Sequence, residues 1–153
     1  MSGYKYLNFN DVLITKNQRV YTEGMNKTLF EQIIDGTIPC HKVYEDENTL
    51  AFLDIHPTQP GHTLVIPKSM AKFVWDLAPA DYSALMLSVQ KVAQRLGDTL
   101  GTDYVGEKIV GTDIPYAHVH LIPFSTLAEY NQPASVADPD HAALAAMAKK
   151  LAF

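Results

Sequence analysis

Cysteine is almost missing from this chain: Cys40 is the only one in 153 residues. An internal disulfide and a cysteine-rich zinc site are thereby excluded, and a reducing, cytoplasmic setting is the simplest reading. Positive charge is also in short supply, with 12 Lys and Arg against 17 Asp and Glu and a net charge of −5 at pH 7. Such a chain has no general attraction for nucleic acid or for an anionic membrane. If it binds a phosphate, local groups must hold it against a slightly repulsive field. No apolar run approaches the length of a membrane span, no secretory-signal pattern opens the chain, and no internal repeat is visible. What remains, 47% hydrophobic and 19% charged residues, is the composition of an ordinary globular protein long enough for one domain with a proper core.

Against those absences one short run stands out, Pro115-Tyr116-Ala117-His118-Val119-His120-Leu121-Ile122-Pro123. Read as an extended strand, it puts Tyr116, His118, His120 and Ile122 on one face and Ala117, Val119 and Leu121 on the other. The odd face is apolar and suits a core. The even face carries two imidazoles side by side, which are costly to bury without partners. Such a strand is either a satisfied structural oddity or a site.

In chain order, residues 1–24 read as an N-terminal extension, a natural leader or a cloning artefact, with Asp11–Thr15 a candidate strand and Glu23-Gly24-Met25 a join. A single domain is expected from residue 25. Thr28-Leu29-Phe30-Glu31 fits a capping box, hydroxyl first and Glu three residues on. It opens a helix with apolar Leu29, Phe30, Ile33 and Ile34, ended at Gly36. Lys42–Glu45 and Thr49–Leu53 read as a hairpin across Asp46-Glu47-Asn48, residues 54–61 as a rigid Pro- and Gly-rich loop, and His62–Lys68 as a third strand. Pro79–Leu96 is the strongest helix, with Leu85, Val89, Val92 and Leu96 at helical spacing, Asp81 in its first turn, and Gly97 and Gly101 marking its end. Residues 104–110 suggest a fourth strand before the signature strand. The polar stretch 131–139 should be a loop within a C-terminal tail, 126–153, with a last helix starting at Asp138-Pro139. Cys40 reads as a small buried residue, and His41, His56 and His141 as surface residues.

Two imidazoles two apart on a strand support three kinds of chemistry. A metal site needs further ligands, for which Asp54, His56, His62 and Asp113 are the candidates. An anion site fits the local sequence better, because neutral imidazole offers one N–H donor and keeps one lone pair. A lone pair can attack phosphorus, and a neighbouring protonated imidazole would stabilise charge on the phosphate oxygens. His118, between the hydroxyl of Tyr116 and the imidazole of His120, is the best-placed nucleophile.

The run 115–123 also resembles the signature of the histidine triad (HIT) family, His-φ-His-φ-His-φ-φ with φ apolar, with Tyr116 in place of the first histidine. The stretch YEDENTLAFLDIHPTQPGHTLVIPK, residues 44–68, is similar to the most recognisable part of HIT proteins, and Ile34–Pro39 resembles the family's opening I-x-G-x-I-P. The resemblance covers about residues 28–125. It implies an α+β fold with an antiparallel sheet of about five strands, packed helices and a homodimer formed through the long helix. It implies a purine nucleotide or nucleotide conjugate as ligand, and hydrolase or transferase chemistry at the α-phosphate through a nucleotidyl-histidine intermediate on His118. His120 would help hold the phosphate, His62 would either contact it or act as a structural histidine that orients His118, and Asp54 would take the ribose hydroxyls, unless Asp54 only forms a turn. Ile33, Phe52 and Ile55 would sandwich the base, although each also suits a core. Thr112 and Asp113 stand where the family's Asn-X-Gly pattern lies before the triad, and an acid there is repulsive to phosphate unless it points away or pairs with a histidine. Thr28 and Glu31 occupy the positions of two zinc-binding cysteines of many bacterial members, so neither a structural zinc nor a cofactor is expected. A nucleotide-binding module with little turnover is the alternative, because the first triad position and the preceding loop are altered.

Overall fold

A computed structural model describes residues 27–153 and the backbones of two short N-terminal strands, β1 (Lys5–Leu7) and β2 (Val12–Ile14), which pair antiparallel with each other. The second of these falls within the strand expected at 11–15; the expected join at 23–25 lies outside the described residues.

The main sheet holds five strands, as expected: β3 (Lys42–Glu45), β4 (Thr49–Leu53), β5 (Thr63–Pro67), β6 (Tyr104–Lys108) and β7 (Val119–Phe124). Their order is β3-β4-β5-β7-β6, and every neighbouring pair is antiparallel. The turn between β3 and β4 is organised by Asp46, whose carboxylate accepts from Asn48 N–H, Thr49 N–H and the Thr49 and Tyr44 hydroxyls. Those donors outweigh burial and hold its pKa down to about 2.

Both faces of the sheet are covered, so β4 and β5 are buried along their whole length. On one face lies α2 (Pro79–Leu100), which sets Leu85, Val89, Val92 and Leu96 against Ala51, Leu53, Val65, Val119 and Leu121. The last helix, α4 (His141–Leu151), joins this core through Ala148 and Leu151. Each such side chain contributes about 1.5–3 kcal/mol by leaving water. On the other face, among the described residues, lies the six-residue α1 (Leu29–Ile34), whose Phe30 packs among Leu50, Phe52, Leu64, Ile66 and Tyr116.

The capping box at α1 is present as read: Thr28 accepts from Glu31 N–H, and Glu31 reaches back to Thr28 N–H. The apolar face packs as read, Leu29, Ile33 and Ile34 lying against the cluster around Phe30, and one polar residue joins it. Phe30 is buried, Leu29, Ile33 and Ile34 are half-buried, and Gln32 is fully buried, donating to Lys27 O. Cys40 is half-buried rather than buried, and burial still pushes its thiol up to about 11. The long helix runs through Gly97 to Leu100 and ends only at Gly101, whose φ of +68° is left-handed. One helical glycine costs about 1 kcal/mol, which the continued packing of Leu96 and Leu100 offsets. Gly61 is fixed by the same helix end: at φ +87°, a Cβ there would sit 2.5 Å from Leu100 Cδ1.

Two elements differ from the reading of the tail. A short helix, α3 (Leu127–Tyr130), carries a second capping box, Thr126 with Glu129, of the same T-x-x-E form as the first. The last helix, α4 (His141–Leu151), is capped by Asp140 rather than Asp138. The signature run is extended only from Val119; before it, Tyr116 N–H turns back to Ile114 O and Ala117 N–H bonds to Ala71 O. The alternation survives this bend, with Ala117, Val119 and Leu121 in the α2-side core.

Candidate functional site

β7 lies between β5 and β6, so His120 is flanked in register by Leu64 and Lys108. His62, at the mouth of β5, is held by the turn at Gly61 and points across to the same spot. The result is a row of three imidazoles on the α1 side of the sheet: His62 to His120 with ring centroids 5.2 Å apart, and His120 to His118 with centroids 4.9 Å apart.

The hydrogen bonds determine which nitrogen carries each proton. Thr58 N–H lies 3.1 Å from His62 Nδ1 and can only donate, so a neutral His62 keeps its proton on Nε2. That proton faces His120 Nδ1 at 2.9 Å, which leaves the His120 proton on Nε2. The Tyr116 carbonyl, 2.6 Å from His118 Nδ1, can only accept, so the His118 Nε2 lone pair is free. One imidazole thus presents a lone pair and its neighbour an N–H.

Burial keeps all three neutral. It pushes His62 down to about 3 and His120 down to about 4, each aided by a neighbouring imidazole and by Lys108. His118 is lowered by burial too, partly opposed by the Tyr116 carbonyl and Asp113. Without a ligand, His120 therefore offers a neutral N–H donor rather than a protonated imidazole, because the site is too poorly hydrated to hold a charge.

Asp54 follows β4 and forms a turn there. Oδ1 accepts from His56 N–H at 2.8 Å, a local turn, while Oδ2 stays 3.7 Å from His62 Nε2 and free of a short hydrogen bond. Burial raises its pKa. Asp54, His62 and His120 each bring one donor atom within 4.8 Å of the others, the one such trio among the described residues. Of the metal-ligand candidates, His56 and Asp113 stand outside it.

Phe52 is buried edge-on to Phe30 at 5.6 Å, whereas Ile33 and Ile55 are half-buried at the border of this face. Thr112 and Asp113 are exposed and bonded to each other at 3.3 Å, and Asp113 acts electrostatically on both His118 and His120. Tyr116 is the main correction. Its side chain is wholly buried, its hydroxyl donates to Pro67 O at 2.8 Å, and burial pushes it up to about 12. It offers the site its carbonyl and not its phenol. The surface placement of His41, His56 and His141 is also corrected. All three are half-buried: His41 Nε2 lies 3.0 Å from His141 Nδ1, because the C-terminal helix folds back over β3, and His56 Nδ1 is buried in the loop after β4.

Three contributors were not read from the sequence. Phe30 packs edge-on to His118 at 5.4 Å, a contact that only the docking of α1 creates. Lys108 reaches His120 through strand order. Thr58 acts through a backbone N–H, which every residue but proline has and which therefore leaves no signal.

Comparison with known proteins agrees with this architecture. Residues 35–127 match the family model described as HIT domain. The chain is 40% identical over 103 residues to the protein named hit from Bacillus subtilis, covering 62% of this chain and 69% of that one. It is 35% identical over 96 residues to an adenosine 5'-monophosphoramidase of Schizosaccharomyces pombe, covering 62% of this chain and 72% of that one. A crystal structure of a Hit-like protein from Bartonella henselae superposes with a TM-score of 0.69 at 28% identity, covering 83% of this chain and 95% of that one. The row of imidazoles on β5 and β7, the sheet that carries it and these matches have one conclusion: the chain belongs to the HIT domain family.

Proposed function

We propose that the protein is a hydrolase or transferase acting at the α-phosphate of a purine nucleotide conjugate, with a nucleoside phosphoramidate as the simplest substrate. The observation that carries this reading is the free Nε2 lone pair of a neutral, buried His118 beside the Nε2–H of His120. His118 attacks phosphorus, the bond to the leaving nitrogen breaks, and that nitrogen takes a proton from water. The Nε2–H of His120 binds a phosphoryl oxygen as negative charge grows there. Water then cleaves the phospho-histidine, releasing a nucleoside monophosphate and restoring the imidazole. His62 acts through His120, holding its proton on the outer nitrogen. Asp54 Oδ2 accepts from the ribose hydroxyls, with the base between Ile33, Phe52 and Ile55. The phosphoramidase activity named for the Schizosaccharomyces relative supports this substrate class. Two copies pair across the outer face of α2, which exposes Tyr82 and Leu87 beside a shallow depression also lined by Met86 and Ala93.

Hydrolysis of an adenosine phosphoramidate, with acid-quench trapping of a nucleotidyl-histidine, tests the reading. A trapped adduct lost in His118→Ala supports it. The altered loop Gly111-Thr112-Asp113 favours a second reading, a nucleotide-binding module. Adenosine monophosphate binding with neither adduct nor turnover would establish that one instead.

A further inference from the structure

The imidazole row meets a phosphate with no positive charge of its own. Burial lowers the pKa of His62, His118 and His120 alike and keeps the row neutral. Two carboxylates stand near it: Asp54, whose Oδ2 lies 3.7 Å from His62 Nε2, and Asp113, which acts on His118 and His120. The chain as a whole carries a net charge of −5. A nucleotide phosphate placed there is repelled on every count, and neutral N–H donors are weaker partners for it than a cation.

One cation is built into the same face. Lys108, the last residue of β6, is paired in register with His120 on β7. Residues paired across antiparallel strands project from the same side of the sheet, with Cβ atoms about 4.5–5.5 Å apart. Lys108 therefore stands beside His120 on the α1 side, and it acts electrostatically on both His120 and His62. No other lysine or arginine among the described residues acts on the three imidazoles. Lys27, Lys42 and Lys68 are held in ion pairs by Asp35 and Glu45. Lys108 is exposed, and among the described residues its ammonium has neither a hydrogen bond nor an ion pair.

The orientation of the His120 ring shows where that charge is needed. Its Nδ1 faces His62, on the β5 side. The second nitrogen of an imidazole points away from the first, so the Nε2–H turns away from β5. The strand on that other side of β7 is β6, which carries Lys108. A phosphoryl oxygen bound to His120 Nε2 then lies within reach of a lysine on a flexible four-carbon stem.

We propose that Lys108 is the phosphate-binding cation of the site, its ammonium pairing with the phosphoryl oxygens that His120 Nε2–H also binds. It offsets Asp54 and Asp113 in the bound state and balances the charge that grows on those oxygens as His118 attacks. The inference rests on the nucleotide reading above and adds to it the source of positive charge that three neutral imidazoles do not supply.

The test measures, by calorimetry, the binding of adenosine monophosphate and of adenosine to the full chain, to Lys108→Gln and to Lys108→Arg. Lys108 is exposed at the end of an edge strand, so both variants should keep the native Tm. Lys108→Gln should weaken adenosine monophosphate about tenfold, the scale of one hydrogen bond to a charged group, and leave adenosine within about twofold. Lys108→Arg should keep most of the affinity, because the charge remains. Added salt should weaken adenosine monophosphate more in the native chain than in Lys108→Gln. The kcat/KM for an adenosine phosphoramidate should fall in Lys108→Gln by at least the factor lost in binding. Unchanged affinity for adenosine monophosphate in Lys108→Gln, an equal loss for adenosine, or a Lys108→Arg as weak as Lys108→Gln overturns the role of Lys108 and leaves the nucleotide reading intact. A native chain that binds no adenosine monophosphate overturns both.

Discussion

The two faces of the five-stranded sheet are built from the same strands and do opposite things. The face under α2 and α4 is a dry assembly of Leu, Val and Ala. The face under α1 mixes Leu, Ile and Phe with a buried tyrosine and two buried histidines. The difference follows from the cover. A helix of 22 residues packs on β4, β5, β6 and β7, whereas, among the described residues, the other face meets a helix of only six and leaves His120 half-buried. A face that is incompletely covered can hold imidazoles whose outer nitrogens reach a ligand while their inner nitrogens are satisfied by protein. Site and core are thus separated by one strand's thickness, through the alternation of side chains.

The contrast can be broken most sharply at His118. His118→Ala should leave the fold intact and reduce phosphoramidate turnover by at least about a thousandfold, measured under single-turnover conditions. On the opposite face the expected damage is to stability alone. Leu96→Ala should cost about 2–5 kcal/mol in urea denaturation, with the KM of the remaining folded protein unchanged.

A pH series sharpens the comparison, because the two buried histidines, His62 and His118, both belong to the imidazole row of the α1 face. Unfolded His62 takes up a proton near 6.5, whereas in the fold it does so only at about 3. Between those values the unfolded chain binds more protons, so the contribution of His62 is fully present above about pH 6.5 and is lost as pH falls toward 3. His120 adds a similar loss, ending at about 4. His62→Gln should flatten the acid limb of a stability-against-pH curve by about 1–3 kcal/mol. The smallest effect is expected for Tyr116→Phe, which strands the Pro67 carbonyl and should cost about 1–2 kcal/mol in thermal unfolding. Turnover should stay within about threefold, because the phenol does not face the phosphate. A large fall in kcat with unchanged stability would restore Tyr116 to the catalytic group.

Much of this was legible along the chain. The hairpin at 42–53, the Thr28 capping box and the long apolar stripe of α2 are local patterns, set by neighbours within a few residues. Alternation in 116–122 placed both histidines on one face before any fold was known. The second T-x-x-E box, at 126–129, has the same local form but is a weaker signal, being short and without an apolar stripe behind it. Tyr116 was placed on the correct face, but its hydroxyl was assigned to the site, because alternation names a face and not what covers it.

What the sequence by itself determined is therefore the period of each element, the side of the sheet on which each β7 residue falls, and the set of groups able to do phosphate chemistry. Tertiary structure alone decided the protonation pattern, since the Thr58 N–H, the Tyr116 carbonyl and the burial that keeps three imidazoles neutral all come from packing. It also decided that Phe30 backs His118 and that His41 meets His141 across 100 residues. The physical reason is range. Backbone propensity and side-chain alternation act over a turn or a strand, whereas hydration, and with it the charge a histidine carries, depends on everything that closes around it.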